Sequence, residues 1–403
     1  MLHAPKTQRR FSEHRLGAVV VALLVAYGMP CRAEISAQES PAALPFYVNL
    51  LFDKVPSIPP ADINSGAGQQ YMQFLAMAGR EDLHASTEGW RDVVGQCDLG
   101  SGPNDDVLGL IAERAKDTRI LIINEAHDRP AHRAFIQRVA SKVRELGYTV
   151  FSAETFGDNI VESEGLPYAR WFDGTYSNEP AFGSLVREVK ALGFRLAHHE
   201  HMPTDTDGTL NRYDRAAHRE EGQANNLVQI LSEMSEDERL LVHVGYSHAA
   251  EVPIKSFLNK QLAWMGSRLK AKTGIDPLTI DQTGCRSTTG SVALSPPDTR
   301  YVPGQFDVVV AHPQPAFDEG RPSWRVEPGV QKVRIPAELL SDHSRVLVEA
   351  RNAGEPGESV PIDRLLLWPG EALPLLLQAG RYELIAFFEN GGDPITASIE
   401  VNR

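Results

Sequence analysis

What most constrains the fold is an alternation that begins near residue 107, in which short continuous apolar runs are separated by segments of helical period. Residues 119–124 form an apolar run of the kind buried on both faces of a parallel sheet, and the pattern recurs at 149–153, 194–197 and 240–244. Between the runs, residues 108–116, 131–146, 182–192, 215–231 and 261–272 carry apolar side chains at helical spacing. Gly147, Gly193 and Gly274 close three of these segments, as expected of helix C-terminal caps. Residues 278–281 and 306–311 add further strands. The alternation predicts an α/β fold, a doubly wound, mostly parallel sheet with flanking helices.

The flanking regions read differently. Residues 1–33 place Lys6, Arg9, Arg10 and Arg15 before the apolar run 16–26 and end in Cys31-Arg32-Ala33, the layout of a secretory signal peptide. The run is short for a retained membrane anchor, and Pro30 is a poor neighbour for lipoprotein processing at Cys31. No later run is long enough to cross a bilayer, so no stable membrane span is expected after cleavage. Residues 34–105, rich in Pro, Ser, Ala and Gly, read as an arm wrapped over the α/β domain of residues 106–312. Residues 313–324 read as a linker. Short alternating segments over 325–403, separated by turn signals such as Pro369-Gly370 and Asn390-Gly391-Gly392, predict a small all-β, sandwich-like module whose default role is partner binding or scaffolding.

Charge and cysteine content narrow the function. Loss of residues 1–33 removes five basic side chains and one acidic, moving the formal charge from -13 to -17. A chain this acidic repels phosphate backbones, which excludes nucleic acid as a partner. Cys97 and Cys285 alone of the 3 cysteines outlast cleavage, and an exported, periplasmic or extracellular setting favours a disulfide between them.

In an open parallel sheet, ligands bind beyond the carboxyl ends of the strands. The first core strand ends in Asn124-Glu125-Ala126-His127-Asp128, the second in Glu154, the third in His198-His199-Glu200-His201 and the fourth in Gly245-Tyr246-Ser247-His248. Polar residues that merely open a loop explain any one of these endings. Four in succession point to a shared site. Glu125 and His127, two apart on an extended backbone, face the same way and suit general-base activation of water or coordination of a divalent cation. His132 either lines the site or caps the turn. Glu154, after an apolar strand, must be paired, with Arg170 or Arg195 as structural partners, or must hold a cation. In the histidine tract, His198 with Glu200 competes with His199 and His201, and Glu200 is preferred. Arg219, Glu220, Gln223 and Asn226 share one helical side, with Arg219 a candidate for holding an anionic group. His248 is the second site histidine.

These residues resemble the superfamily that joins ChaN-type haem-uptake lipoproteins, erythromycin-esterase-like hydrolases and the TIKI/TraB proteases. The stretch from Ile122 to His132 is similar to a signature in which Gly-Glu precedes His-Asp, a proline and a second histidine. Arg219-Glu220 with Gln223, Ala224 and Asn226 is similar to the Arg-acid helix of the esterases, and Gly245-Tyr246-Ser247-His248 to the Gly-x-x-His end of the last site strand. Two departures stand out: Asn124 replaces the family's glycine, and the esterase branch spaces its glutamate and histidine one residue further apart. The resemblance spans about residues 119–250. It implies Glu125, His127, Glu154 and His248 as site residues, with Arg219 orienting.

Two functions follow as expectations. The first is an exported hydrolase of an ester or amide bond in a small-molecule or peptide substrate, with Glu125, His127, Glu154, Glu200 and His248 as ligands if a divalent metal ion takes part. The second is a haem-binding protein without catalysis, with Tyr246 or His132 as the axial ligand.

Overall fold

The computed structural model describes residues 44–63, 65–86, 95–97, 106–256 and 258–403. The expected signal peptide lies outside these residues. The described part of the N-terminal arm is largely helical: α1 (Phe46–Lys54), α2 (Gly66–Met77) and α3 (Glu81–Ser86). Helices this short, set among prolines and glycines, leave no sustained period to read. They contribute Val48, Leu51 and Leu75 to the main core, so the arm is built into the globule.

The alternation then follows as α4 (Val107–Ala115), β1 (Ile120–Glu125), α5 (Pro130–Val143), β2 (Tyr148–Ala153), α6 (Pro180–Ala191), β3 (Arg195–His198), α7 (Asp205–Thr209), α8 (Arg212–Glu233) and β4 (Arg239–Gly245). Local chemistry explains the boundaries. Pro130 and Pro180 occupy the first turns of α5 and α6, where a missing N–H costs nothing. Glu179 accepts from the N–H groups of Ala181 and Phe182 to cap α6. The segment expected as one helix over 261–272 divides instead: β5 (Ile254–Lys255) pairs with β6 (Gln261–Leu262), and α9 (Met265–Thr273) begins only after Trp264. Strands β7 (Leu278–Asp281), β8 (Ala293–Ser295) and β9 (Val308–Ala311) complete a seven-stranded sheet in the order β3-β2-β4-β1-β7-β9-β8, parallel except for β8 at its edge.

Alternation along β1 sets the two faces of this sheet. Leu121 and Ile123 pack with Ile136 of α5 and Val186 of α6, whereas Ile120 and Ile122 pack with Leu227 of α8 and Leu269 of α9. The chain leaves β1 through α5 on one face and leaves its neighbour β4 through α9 on the other. Adjacent strands whose connections diverge open a crevice beyond their carboxyl ends, here where Glu125 is in register with Gly245.

Beyond the sheet, the expected linker is a hairpin of β10 (Phe317–Asp318) and β11 (Arg321–Pro322). The C-terminal strands are β12 (Gln331–Val333), β13 (Val346–Asn352), β14 (Asp363–Leu367), β15 (Leu375–Leu377), β16 (Gly380–Phe388) and β17 (Ile395–Val401). They form an antiparallel sheet β14-β13-β16-β17 and a pair β12-β15. Val346, Val348 and Ala350 of β13 face the module's own core, while Leu347, with Leu366 and Phe387, joins the cluster that contains Leu121. Between these apolar contacts lies a buried ionic knot. Glu349 accepts from Tyr47 Oη at 2.8 Å, from Arg351 Nη2 at 2.6 Å and from Arg364 Nε at 2.6 Å. Arg364 in turn donates to the carbonyls of Met77 and Asn178. Helices α1 and α2, the α/β domain and the C-terminal module therefore meet on one carboxylate.

Cys97 and Cys285 are bonded, with their Cα atoms 5.1 Å apart. Among the described residues, no helix is long and apolar enough to cross a membrane.

Removing Glu349 leaves two buried guanidinium groups without their anion. Glu349→Ala should lose about 3–5 kcal/mol of unfolding free energy in urea. A loss below about 1 kcal/mol, the level of an exposed pair, would mean that the knot does not join the parts.

Candidate functional site

Strand-end groups meet in two linked clusters, Glu125 with His127, and Glu154, Glu200 and His248 around Arg219. Glu125, the last residue of β1, is fully buried, and both of its oxygens are engaged. Arg133 in the first turns of α5 donates to it through Nε and Nη2, each at 2.8 Å. His243 Nε2 stands 3.0 Å from Oε2. Burial would raise this carboxyl, but the Arg133 charge, followed by His243 and His127, holds it well below the usual carboxylate range. An ionised carboxylate only accepts, so His127 Nδ1, 2.9 Å from Glu125 Oε1, carries the proton. Nε2 of His127 is left with its lone pair.

That lone pair points over Gly245. A Cβ on Gly245 would lie 2.6 Å from His127 Nε2 and 3.3 Å from Glu154 Oε2, so only glycine admits the ring. Glu154, in the turn after β2, accepts from the Gly245 N–H at 2.6 Å and from Arg219 Nη2 at 2.5 Å. Arg219, on α8, also grips Glu200 through Nε at 2.8 Å and Nη2 at 2.5 Å. Burial again opposes ionisation of Glu154; His248 first, then Arg219 and His127, outweigh it and keep the group below the carboxylate range. The structural partner of Glu154 is thus Arg219, while Arg170 pairs with Asp173.

His248 mirrors His127. Its Nδ1 is 2.9 Å from Glu220 Oε2, and its Nε2 faces Arg219 Nη1 at 3.2 Å and Glu154 Oε1 at 3.4 Å. Burial would lower His248, but Glu154 and then Glu220 raise it above the ordinary histidine value. Two imidazoles, each backed by a glutamate on Nδ1, therefore flank Glu154, which meets His127 Nε2 over Gly245 and stands 3.4 Å from His248 Nε2. The side chains of His127 and His248 are 13% and 10% exposed and those of Arg219 and Glu200 are 26% and 21% exposed, so the site opens at this rim.

Other expected residues sit differently. His132 Nδ1 accepts from the Ala126 N–H at 3.1 Å, and its ring lies 4.6 Å from that of His312, so it holds the turn after β1. Of the histidine tract, His198 faces Asp158, His199 bonds Ser152, Glu200 joins Arg219, and His201 meets Asp207. Tyr246 adopts φ +39°, a strained value for a residue with a side chain, and sets its ring edge-on to His127 at 5.2 Å. Asn124, where the resembling families have glycine, ties three strand ends: it donates to Tyr246 O and Asp281 Oδ1 and accepts from Gln282 N.

Three contributors escaped the sequence reading. Arg133 could have been sought as the partner that a buried Glu125 requires. Glu220 sat beside Arg219 but was not assigned to the site. Tyr176, whose ring covers His127 at 4.3 Å, comes from a loop that carries no signal.

The expected metal ligands do not fit an ion at this position. Arg133 occupies both oxygens of Glu125, and Arg219 bridges Glu154 and Glu200, so guanidinium groups supply the positive charge. Of the two expected axial ligands for haem, His132 turns Nδ1 to the Ala126 N–H, and the Tyr246 ring stands edge-on to His127.

Three histidines around the site are buried and neutral. Burial pushes His132 down to about 3, with Arg129 adding to it; burial pushes His199 down to about 3 and His312 well below its ordinary value. A group with a depressed folded value takes its proton first in the unfolded chain. The stability it gives is complete above about pH 6.5 and is lost as pH falls toward about 3. Unfolding at about pH 5 should take up about three protons from these side chains, measurable as the pH slope of the unfolding free energy. A flat slope there would contradict their neutrality.

No protein-family model and no curated protein matches the chain. Solved structures overlap it loosely. The RRSP effector domain of a MARTX toxin from Vibrio vulnificus CMCP6 is 15% identical over 60% of this chain and 44% of that one, with a TM-score of 0.32. The type III effector HopBA1 is 13% identical over 53% and 97%, with a TM-score of 0.36. The C-terminal region of Pasteurella multocida toxin, described as carrying a thiol-protease-like catalytic triad, is 10% identical over 84% and 58%, with a TM-score of 0.32. The chain thus spans under half of the MARTX domain, and overlaps this loose identify neither a family nor an activity.

Proposed function

We propose that the chain is an exported hydrolase of ester or amide bonds that works by paired acid-base histidines around an arginine. The single observation that carries this reading is the convergence of two glutamate-backed imidazoles on Glu154 and the Arg219 it holds. His127 Nε2, its proton held on Nδ1 by Glu125, takes a proton from water as the water attacks a carbonyl. Arg219 Nη1 lies where the oxygen of that carbonyl gains charge, already oriented by Glu154 and Glu200. His248, raised by Glu154 and Glu220, acts in its doubly protonated form: Glu220 keeps the Nδ1 proton, and the Nε2 proton passes to the leaving oxygen or nitrogen.

Support for the superfamily comes from the same residues: Glu125, His127, Arg219 and His248 carry the sequence resemblance and are the ones that meet. Helices packed on both faces of the sheet support a doubly wound arrangement. The Cys97–Cys285 disulfide supports an oxidising, periplasmic or extracellular location. The module's shared core and ionic knot support scaffolding over detachable partner binding.

A panel of chromogenic esters and anilides tests the assignment. On any substrate the wild type hydrolyses, His127→Ala should lower kcat by about 10²–10⁴ with thermal stability retained. Full activity in that variant would remove His127 from the mechanism.

A further inference from the structure

We propose that His201, Asp207 and His218 form a binding site for one zinc-like divalent transition-metal ion at the rim of the crevice. Among the described residues, this is the one group of three potential ligands whose donor atoms all lie within 4.8 Å of one another. His201 Nε2 is 3.1 Å from Asp207 Oδ2, and His218 Nδ1 is 2.8 Å from Asp207 Oδ1. Two imidazoles and one carboxylate are a donor set suited to zinc and its neighbours rather than to calcium or magnesium, which prefer oxygen. The His218 side chain is 39% exposed, leaving an open side for water as a fourth ligand.

Two further observations show that the arrangement is built. Gly222 lies in the middle of the 22-residue helix α8, where glycine weakens a helix relative to alanine. A Cβ there would stand 2.3 Å from His201 Nδ1 and 2.7 Å from Cγ, so the helix gives up a side chain to seat this imidazole. Asp207 is fixed independently, because Thr204 donates to Oδ2 through its N–H at 2.7 Å and its hydroxyl at 2.8 Å in a capping box.

Without an ion, each imidazole donates its inner N–H to Asp207. On binding, the inner nitrogen of each ring gives its lone pair to the metal, and the ring keeps a proton on its other nitrogen. His201 follows Glu200 and His218 precedes Arg219. The ion would therefore fasten the loop that carries Glu200 to the helix that carries Arg219, whatever reaction the crevice performs.

The test uses the full, untagged chain, stripped with EDTA and freed of chelator, then titrated with Zn²⁺ in competition with a chromophoric chelator. The wild type should bind one Zn²⁺ tightly, and excess Mg²⁺ should not displace it. Loss of even an outer-shell partner lowers metal affinity roughly 10–100-fold, so His218→Ala and His201→Gln should each weaken binding by at least about 100-fold. Co²⁺ should give visible absorption bands in the wild type and none in His218→Ala. Absence of a stoichiometric site in the wild type would overturn the proposal whether or not the variants fold. Equal affinity in wild type and either variant would do the same.

Discussion

A carboxylate buried at the end of the central strand has to be neutralised, and Arg133 is what neutralises Glu125. Both side chains are fully buried, and the guanidinium also reaches Glu179, the N-terminal cap of α6, and the carbonyl of His127. One charged side chain thus joins β1, α5 and α6 and fixes the backbone that carries the first histidine. Glu125 is then free of any need for metal or solvent and can hold His127 Nδ1. A buried pair is weak evidence for stability, because desolvation offsets much of the attraction, but it strongly penalises arrangements in which either partner is alone. Its value here is a single orientation for the His127 ring.

The same device recurs twice. Arg219 spans Glu154 and Glu200 and so draws the ends of β2 and β3 to α8. Arg364 and Arg351 share Glu349 where α1, α2 and the C-terminal strands meet. In each case a guanidinium, with several donors in one plane, satisfies more than one element at once, which a lysine could not do with the same geometry. The more exposed of the three is the one at the crevice, where Arg219 can exchange a carboxylate contact for a substrate oxygen.

Much of the α/β region was legible because burial on both faces leaves a continuous apolar run, and because Gly147, Gly193 and Gly274 adopt the positive φ that ends helices. What hid was polar or short. Strand β14 opens on Asp363 and Arg364, charged residues that read as a loop until their buried partners are known. Gln261 and Leu262 look helical in sequence but pair with β5 across a turn. At the site, Glu125, Glu154, Glu200, His127 and His248 were legible as strand endings. Their meaning was not, since carboxylates that bind a metal and carboxylates that bind arginine leave the same local pattern. The deciding partners, Arg133 and Arg219, reach them from helices. Glu200 reaches Arg219 as preferred, but His198 does not share its side, because β3 ends at His198 and alternation no longer governs the residues after it.

Glu125 and Glu220 orient the two imidazoles by holding Nδ1 of His127 and His248, so that each neutral ring turns Nε2 toward Glu154. Ring-nitrogen chemical shifts of ¹⁵N-labelled histidine, assigned with single-site variants and recorded at about pH 9, well above the ordinary histidine value, report this directly. The arrangement predicts a proton on Nδ1 and none on Nε2 for His127 and His248 alike. A proton on Nε2 with Nδ1 bare, in either ring, would contradict it.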